Sequence, residues 1–123
     1  MAVTAAIQLG YLGTQGLAEV ATRCAQGAHA LFAALTAIPG VSPVSTAPFF
    51  REFALRLPRS ADEVLAALVD EGILGGLSLR SLVGANDPSV DGETDNIVLI
   101  AVTERRTQAD IDHFVTSLRK VLA

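Results

Sequence analysis

The stretch Ile97-Val98-Leu99-Ile100-Ala101-Val102-Thr103-Glu104-Arg105-Arg106-Thr107 decides the fold of this chain. Six apolar residues run directly into a charged turn and then a helix start. An unbroken apolar run of that length, bounded by turn residues, predicts a strand buried on both faces at the centre of a sheet. Thr107 is the predicted N-cap of the following helix, and Asp110 stands at N3, a carboxylate near the positive helix end. Ile111, Phe114, Val115, Leu118 and Leu122 recur at helical spacing and form its core stripe. Arg119 and Lys120 fall in the last turn, where cations oppose the helix dipole favourably.

Upstream, Phe50 to Leu57 alternates, with Phe53, Leu55 and Leu57 on one face and Glu52, Ala54 and Arg56 on the other, which predicts a strand with one covered face. Pro58 stops it. Ser60-Ala61-Asp62-Glu63 is a capping-box pattern opening a helix to Glu71, with Val64, Leu65, Leu68 and Val69 as its buried stripe and Gly72 as the left-handed C′ residue. From Ile73 to Arg80, Gly75-Gly76 and then Leu77 and Leu79 predict a turn into a short strand. Gly84 to Asn96 is a polar loop. Before the first strand, Val41 to Phe49 holds Pro43 and Pro48, so it supplies only a short edge strand and a loop. A helix from Thr14, its predicted cap, runs to about Ile38 with Leu17, Val20, Ala21, Cys24, Ala28, Leu31, Leu35 and Ile38 on one stripe. Its length of roughly 36 Å at 1.5 Å per residue crosses a small sheet completely. Residues Ala2 to Leu12 form a separate helix that is apolar on nearly every side, with Gly13 at C′. Such a helix calls for cover that a short chain cannot provide, so it either pairs with a second copy or continues from a missing upstream part. The order helix, helix, strand, helix, short strand, strand, helix predicts an α+β fold: a small, mostly antiparallel sheet with helices on one face.

Composition bounds the function. The 123 residues, half of them apolar, suffice for one domain with one core. A net charge of -4, with nine scattered basic residues, one Tyr and five Phe, offers neither the electrostatic footprint nor the stacking platform of a nucleic-acid binder. The one cysteine cannot form an internal disulfide; within an apolar helical pattern Cys24 is expected to be buried and inert, as suits a reducing, cytoplasmic setting. Met1-Ala2-Val3-Thr4 has no basic flank, and no apolar run reaches the roughly 20 residues that span a bilayer. A soluble protein is expected.

Candidate sites are few. Asp87, Asp91, Glu93 and Asp95 crowd one loop, but their spacing, with Pro88 inside, does not match the calcium-loop template, so a solvated acidic loop is expected and no metal site. His29 and His113 lack a further ligand at metal spacing; His113 is read as a surface residue and His29, beside the apolar stripe, as partly buried and structural. Gly72 to Gly76 follows a helix and lacks both phosphate-loop patterns, which favours a turn with positive φ. Arg105 and Arg106, in the strand-to-helix turn, and Arg51 on another segment are the candidate contacts for a small anion or an acidic partner, because guanidinium groups grip carboxylates bidentately. No catalytic residue is assigned. The single lysine, Lys120, lies in the last turn near the terminus, and a Schiff-base lysine must be desolvated in a pocket, so no covalently bound pyridoxal phosphate is expected on this chain.

Tyr11-Leu12-Gly13 with Gly16-Leu17, Ile38-Pro39-Gly40-Val41, Ala47-Pro48-Phe49-Phe50-Arg51-Glu52-Phe53, Gly72-Ile73-Leu74-Gly75-Gly76 and Ala101-Val102-Thr103-Glu104-Arg105-Arg106-Thr107 occur in this order along nearly the whole chain. Together they resemble the C-terminal end of subunit 1 (the alpha subunit) of glycine dehydrogenase (decarboxylating), the P-protein of the glycine cleavage system. The resemblance implies that residues 1–123 are the small C-terminal domain of an aminotransferase-like (fold type I) pyridoxal-phosphate subunit, with 1–12 as a helix linking it to a missing large domain. The family reaction decarboxylates glycine on pyridoxal phosphate and passes the aminomethyl group to the lipoyl arm of the H-protein. In the two-subunit form, the lysine that binds the cofactor belongs to subunit 2. The resemblance thus implies a non-catalytic domain with subunit 2 and lipoylated H-protein as partners. Two departures stand out: the 84–96 loop is longer and more acidic than the family pattern, and the chain stops at Ala123, which favours the two-subunit type or a trimmed chain. The rival reading is a free-standing α+β regulatory or small-anion-binding module that dimerises through its first helix.

Overall fold

A computed structural model describes residues 1–84, 87 and 91–123. In chain order the elements are α1 (Ala2–Thr36), β1 (Ser42–Pro43), β2 (Glu52–Arg56), α2 (Ala61–Asp70), β3 (Leu77–Ser78), α3 (Leu79–Val83), β4 (Ile97–Ala101) and α4 (Gln108–Leu122). The four strands lie in the order β1-β2-β4-β3, each pair antiparallel. The apolar strand is therefore internal, as its composition predicts, and the Pro-containing β1 lies at an edge. The register pairs Phe53 with Ile100 and Leu55 with Val98, placing these four side chains on one face. Leu31 and Leu35 of α1, Val64 and Leu68 of α2, and Ile111, Val115 and Leu118 of α4 close over that face and complete the core. Full burial of a leucine or valine stabilises by about 1.5–3 kcal/mol, and Leu35, Leu55, Leu68 and Val64 all reach it.

The opposite face departs from expectation. With α1, α2 and α4 gathered on one side, β4 is not sealed on both: Leu99 is half-buried and Ala101 exposed, beside exposed Glu52 and Leu77. Only Ile97 is buried on that side, where the start of β4 meets a loop pinned to β2. There Arg56 donates to the Glu93 carbonyl and to Asn96 Oδ1, Asn96 donates to the Leu57 carbonyl at 2.9 Å, and Arg80 meets Asp95 at 2.9 Å.

The two predicted N-terminal helices are one element broken at Gly13, whose φ of 64° and ψ of -177° are non-helical. The Thr14 hydroxyl makes no capping bond among the described residues; the glycine backbone alone marks the junction. The helix ends at Thr36, and Ile38 is buried in a turn closed by Gly40 at φ 86°. Its core contact begins only at Cys24. Leu17, on the predicted stripe, is 39% exposed, and residues 1–15 are all exposed.

The Ser60 capping box does not form. Ser60 is the N-cap residue without a side-chain bond; the Ala61 N–H, which the box does not use, bonds to the Asp95 carbonyl at 3.0 Å, and Glu63 turns to Arg59 at 3.6 Å. The other end of α2 is as predicted. Gly72 adopts φ 80°, its N–H bonds to the Val69 carbonyl, and the Ile73 N–H reaches back to that of Leu68, a Schellman closure. Val69 is exposed, since α2 turns only its Val64 and Leu68 side fully inward. The predicted strand after Gly76 shrinks to two residues, because the Ser78 hydroxyl accepts the Ser81 N–H at 3.0 Å and starts the unpredicted helix α3. Of the predicted 84–96 loop, Pro88 lies outside the described residues. No helix among the described residues is long and apolar enough to cross a membrane.

Candidate functional site

An open cleft of about 700 Å³ lies between the 72–77 turn, the second half of β4 and the first turns of α4. Local backbone chemistry builds it. Gly76, at φ 136°, brings the turn so close to β4 that a Cβ there would overlap the Leu99 carbonyl oxygen. The capping box at Thr107 fixes where α4 begins: Asp110 N–H donates to the Thr107 hydroxyl at 3.2 Å and the Thr107 N–H donates to Asp110 Oδ2 at 2.8 Å. Ile73, Leu77, Leu99 and Phe114 supply apolar walls, while Glu52, Arg106, Asp110 and His113 stand among the lining groups.

The rim carries charge of both signs, Glu52 and Asp110 with Arg106. The Thr107 backbone N–H, then its hydroxyl, and then the charges of Arg106 and His113 hold the Asp110 carboxyl below the usual aspartate range. Asp110 thus stays ionised and opposes the positive charge beside it. The arrangement suits burial of apolar surface with polar groups at its edge; it presents no nucleophile paired with a base. Among the described residues, no group of three or more His, Cys, Asp or Glu is placed to hold a metal ion.

Of the arginines singled out in the sequence, only Arg106 lines the cleft. The main chain brings Arg51 beside the turn, its carbonyl accepting the Val102 N–H at 3.0 Å, but its Nε lies 3.8 Å from the Glu52 carboxylate. Arg105 is exposed and outside the lining. His113 is exposed, as read, at the cleft rim. His29 corrects its reading: it is exposed rather than partly buried, because the packing surface available to it is a loop. Its ring stacks on Phe49 at 4.2 Å and 12°, with Nε2 3.1 Å from the Phe49 carbonyl. Cys24 is buried, its Sγ 3.8 Å from Glu104 Oε2. Lys120 is exposed and bonded to Glu71 at 2.6 Å.

In the acidic loop, Asp91 Oδ1 accepts the Thr94 N–H at 3.0 Å, the Thr94 hydroxyl at 3.1 Å and the Glu93 N–H at 3.0 Å, and these bonds, the Thr94 N–H foremost, lower its carboxyl pKa. The Asp91 carboxylate thus organises a turn. The apolar walls around Leu99 and Phe114 were not singled out as a site in the sequence, where they carry only core signals; Leu74 and Leu77 flanking Gly75-Gly76 are the local hint, since two large apolar residues beside a glycine turn have no core to enter.

No family model matches the chain. It is 43% identical over 122 residues to the probable glycine dehydrogenase (decarboxylating) subunit 1 of Methylococcus capsulatus, covering 99% of this chain and 25% of that protein. The protein of the same name from Chlorobium limicola is 43% identical over 117 residues, covering 95% and 24%. The chain is homologous to part of glycine dehydrogenase (decarboxylating) subunit 1. It spans about a quarter of the length of these relatives. Among solved structures, it is similar to glycine decarboxylase (P-protein) of the glycine cleavage system in inhibitor-bound form, with a TM-score of 0.79 and 36% identity over 95% of this chain and 24% of that one. A NifS-like protein from Rickettsia africae shares the fold at a TM-score of 0.71 and 18% identity, covering 88% of this chain and 30% of that one. The predicted α+β architecture is thus that of a portion of glycine decarboxylase and of the NifS-like and aminotransferase structures.

Proposed function

We propose that this chain is the C-terminal small domain of glycine dehydrogenase (decarboxylating) subunit 1, a non-catalytic domain that helps build the glycine-decarboxylating assembly. The observation that carries it is the coincidence of sequence and fold: the same 95% of the chain that superimposes on glycine decarboxylase is 36% identical to it. In this reading residues 1–12 link the domain to a large domain, and the cleft rim at Arg106, with Arg105 and Arg51 nearby in sequence or pairing, faces a partner or the edge of a larger cleft. The partners are subunit 2 and the lipoylated H-protein, in a cytoplasmic complex.

Pyridoxal phosphate is the cofactor that the fold and the relatives imply, and it supplies the electron sink for decarboxylation when bound in the assembly. The residues of this chain do not fit its covalent attachment. The one lysine is exposed and engaged with Glu71, whereas an attachment lysine needs a desolvated pocket that lowers its pKa. The placement of the cofactor lysine on subunit 2 rests on the family resemblance, since a chain spanning a quarter of subunit 1 would lack it in either case.

Reconstitution tests the reading. Full-length subunit 1 containing this sequence, mixed with subunit 2, pyridoxal phosphate, glycine and lipoylated H-protein, is expected to restore glycine-dependent carbon dioxide exchange; no exchange refutes it. The isolated chain incubated with pyridoxal phosphate is expected to yield no adduct after borohydride. A trapped adduct at Lys120 would overturn the assignment of the attachment site.

A further inference from the structure

Gly13 and Gly16 lie at the break in α1. In α1, residues before and after Gly13 are helical, yet Gly13 itself sits at φ 64° and ψ -177°, a region open to glycine and closed to other L-residues. An added Cβ at Gly13 would meet nothing within 4 Å, so no neighbouring side chain props the break open. Three residues on, a Cβ at Gly16 would lie 3.1 Å from Leu12 Cβ and 3.4 Å from Leu12 Cδ2. In a continuous helix the Cβ atoms of residues four apart are roughly 5–6 Å from one another. The chain has therefore folded back until Leu12 rests against the bare backbone of Gly16. One glycine supplies the dihedral angles and the other supplies the room.

We propose that Gly13 and Gly16 constitute a built-in joint that bends α1 and sets the direction in which the apolar segment 2–12 leaves the domain. Gly13 can also take ordinary helical angles, at a modest penalty, so the bent form has a continuous helix as its close competitor. Residues 1–15 are exposed; the domain makes its first buried contact with α1 at Cys24. Among the described residues, no buried contact orients the segment ahead of Cys24. The joint belongs to the chain itself and does not depend on the proposed assembly.

Spin labels on Thr4 and Thr22, both exposed, report the bend in the 123-residue chain with Cys24 replaced by Ala. A continuous helix would separate these α-carbons by about 27 Å at 1.5 Å per residue. The chain with both glycines is expected to give a shorter distance. Gly13→Ala is expected to lengthen it towards the continuous value, because alanine favours helical angles and is excluded from those seen. Gly16→Ala is expected to lengthen it by less, through pressure on Leu12. Gly10→Ala, at a helical glycine with open space around it, controls for a general gain in helix propensity and is expected to leave the distance unchanged. A starting distance already at the continuous value, a broad distribution that Gly13→Ala does not narrow, or an equal response to Gly10→Ala would each overturn the joint. Circular dichroism of every variant verifies that the domain remains folded.

Discussion

Thr107 shows how much one residue can settle. Its reciprocal bonds with Asp110 satisfy two backbone N–H groups that the first turn of a helix leaves unpaired. Thr107→Ala is expected to destabilise by about 1 kcal/mol, read from urea denaturation midpoints at constant m. The pH dependence has a fixed sign. The carboxyls of Asp110 and Asp91 are lowered in the folded chain relative to the ordinary value of 3.8, so the unfolded chain binds their protons first on acidification. Their contribution is complete above the ordinary value and is lost as pH falls through the folded values. Asp110→Asn should flatten the acid limb of a stability-against-pH curve; an unchanged limb would contradict the assignment. Gly76 makes the stricter demand. At φ 136°, with the Leu99 carbonyl against its α-carbon, Gly76→Ala is expected to cost roughly 2–4 kcal/mol through strain and displacement of the turn, measurable as a fall in Tm.

At the scale of elements, α1 divides into three regimes that a single apolar stripe conceals. Leu35 is wholly buried over the sheet, Leu17 is largely outside the core and residues 1–15 are in the open. Leu35→Ala is expected to cost about 2–5 kcal/mol, as for other core leucines, while Leu17→Ala should stay near 0.5 kcal/mol or below, the usual range for surface changes. Equal losses in chemical denaturation would show that α1 packs along its full stripe. Capping illustrates the same limit. Ser60 to Glu63 carries the capping-box pattern while Thr107 is predicted only as an N-cap with Asp110 at N3, yet it is Thr107 that forms the box. At Ser60 the Glu63 carboxylate, which the box would use, lies 3.6 Å from Arg59 instead. Gly72, by contrast, closes α2 as its position predicts, because a Schellman turn is satisfied within its own few residues.

For the molecule as a whole, the domain and its N-terminal segment are separable. Removing residues 1–12 is expected to leave Tm within about 2 °C, since surface positions contribute little. The same truncation should abolish concentration-dependent association of the chain in sedimentation velocity, because Val3, Ile7, Leu9 and Tyr11 present exposed apolar surface there. Association that survives the truncation would shift attention to the cleft and to exposed Leu74 and Leu77. The candidate site was less legible than the fold. Arg106 carried a usable signal, as a guanidinium in a strand-to-helix turn, but the apolar walls of the cleft did not, since Leu99 and Phe114 look like any core residue until the layers are assembled.

Local pattern alone determined the strand at Ile97, the alternation of β2, the cap at Thr107, the turn at Gly72 and the family resemblance, because each depends on interactions within a few residues or on side-chain period. Tertiary structure decided which face of β4 stays open and where α1 enters the core. Those outcomes depend on how three helices share one face of a four-stranded sheet, which a local sequence pattern does not encode.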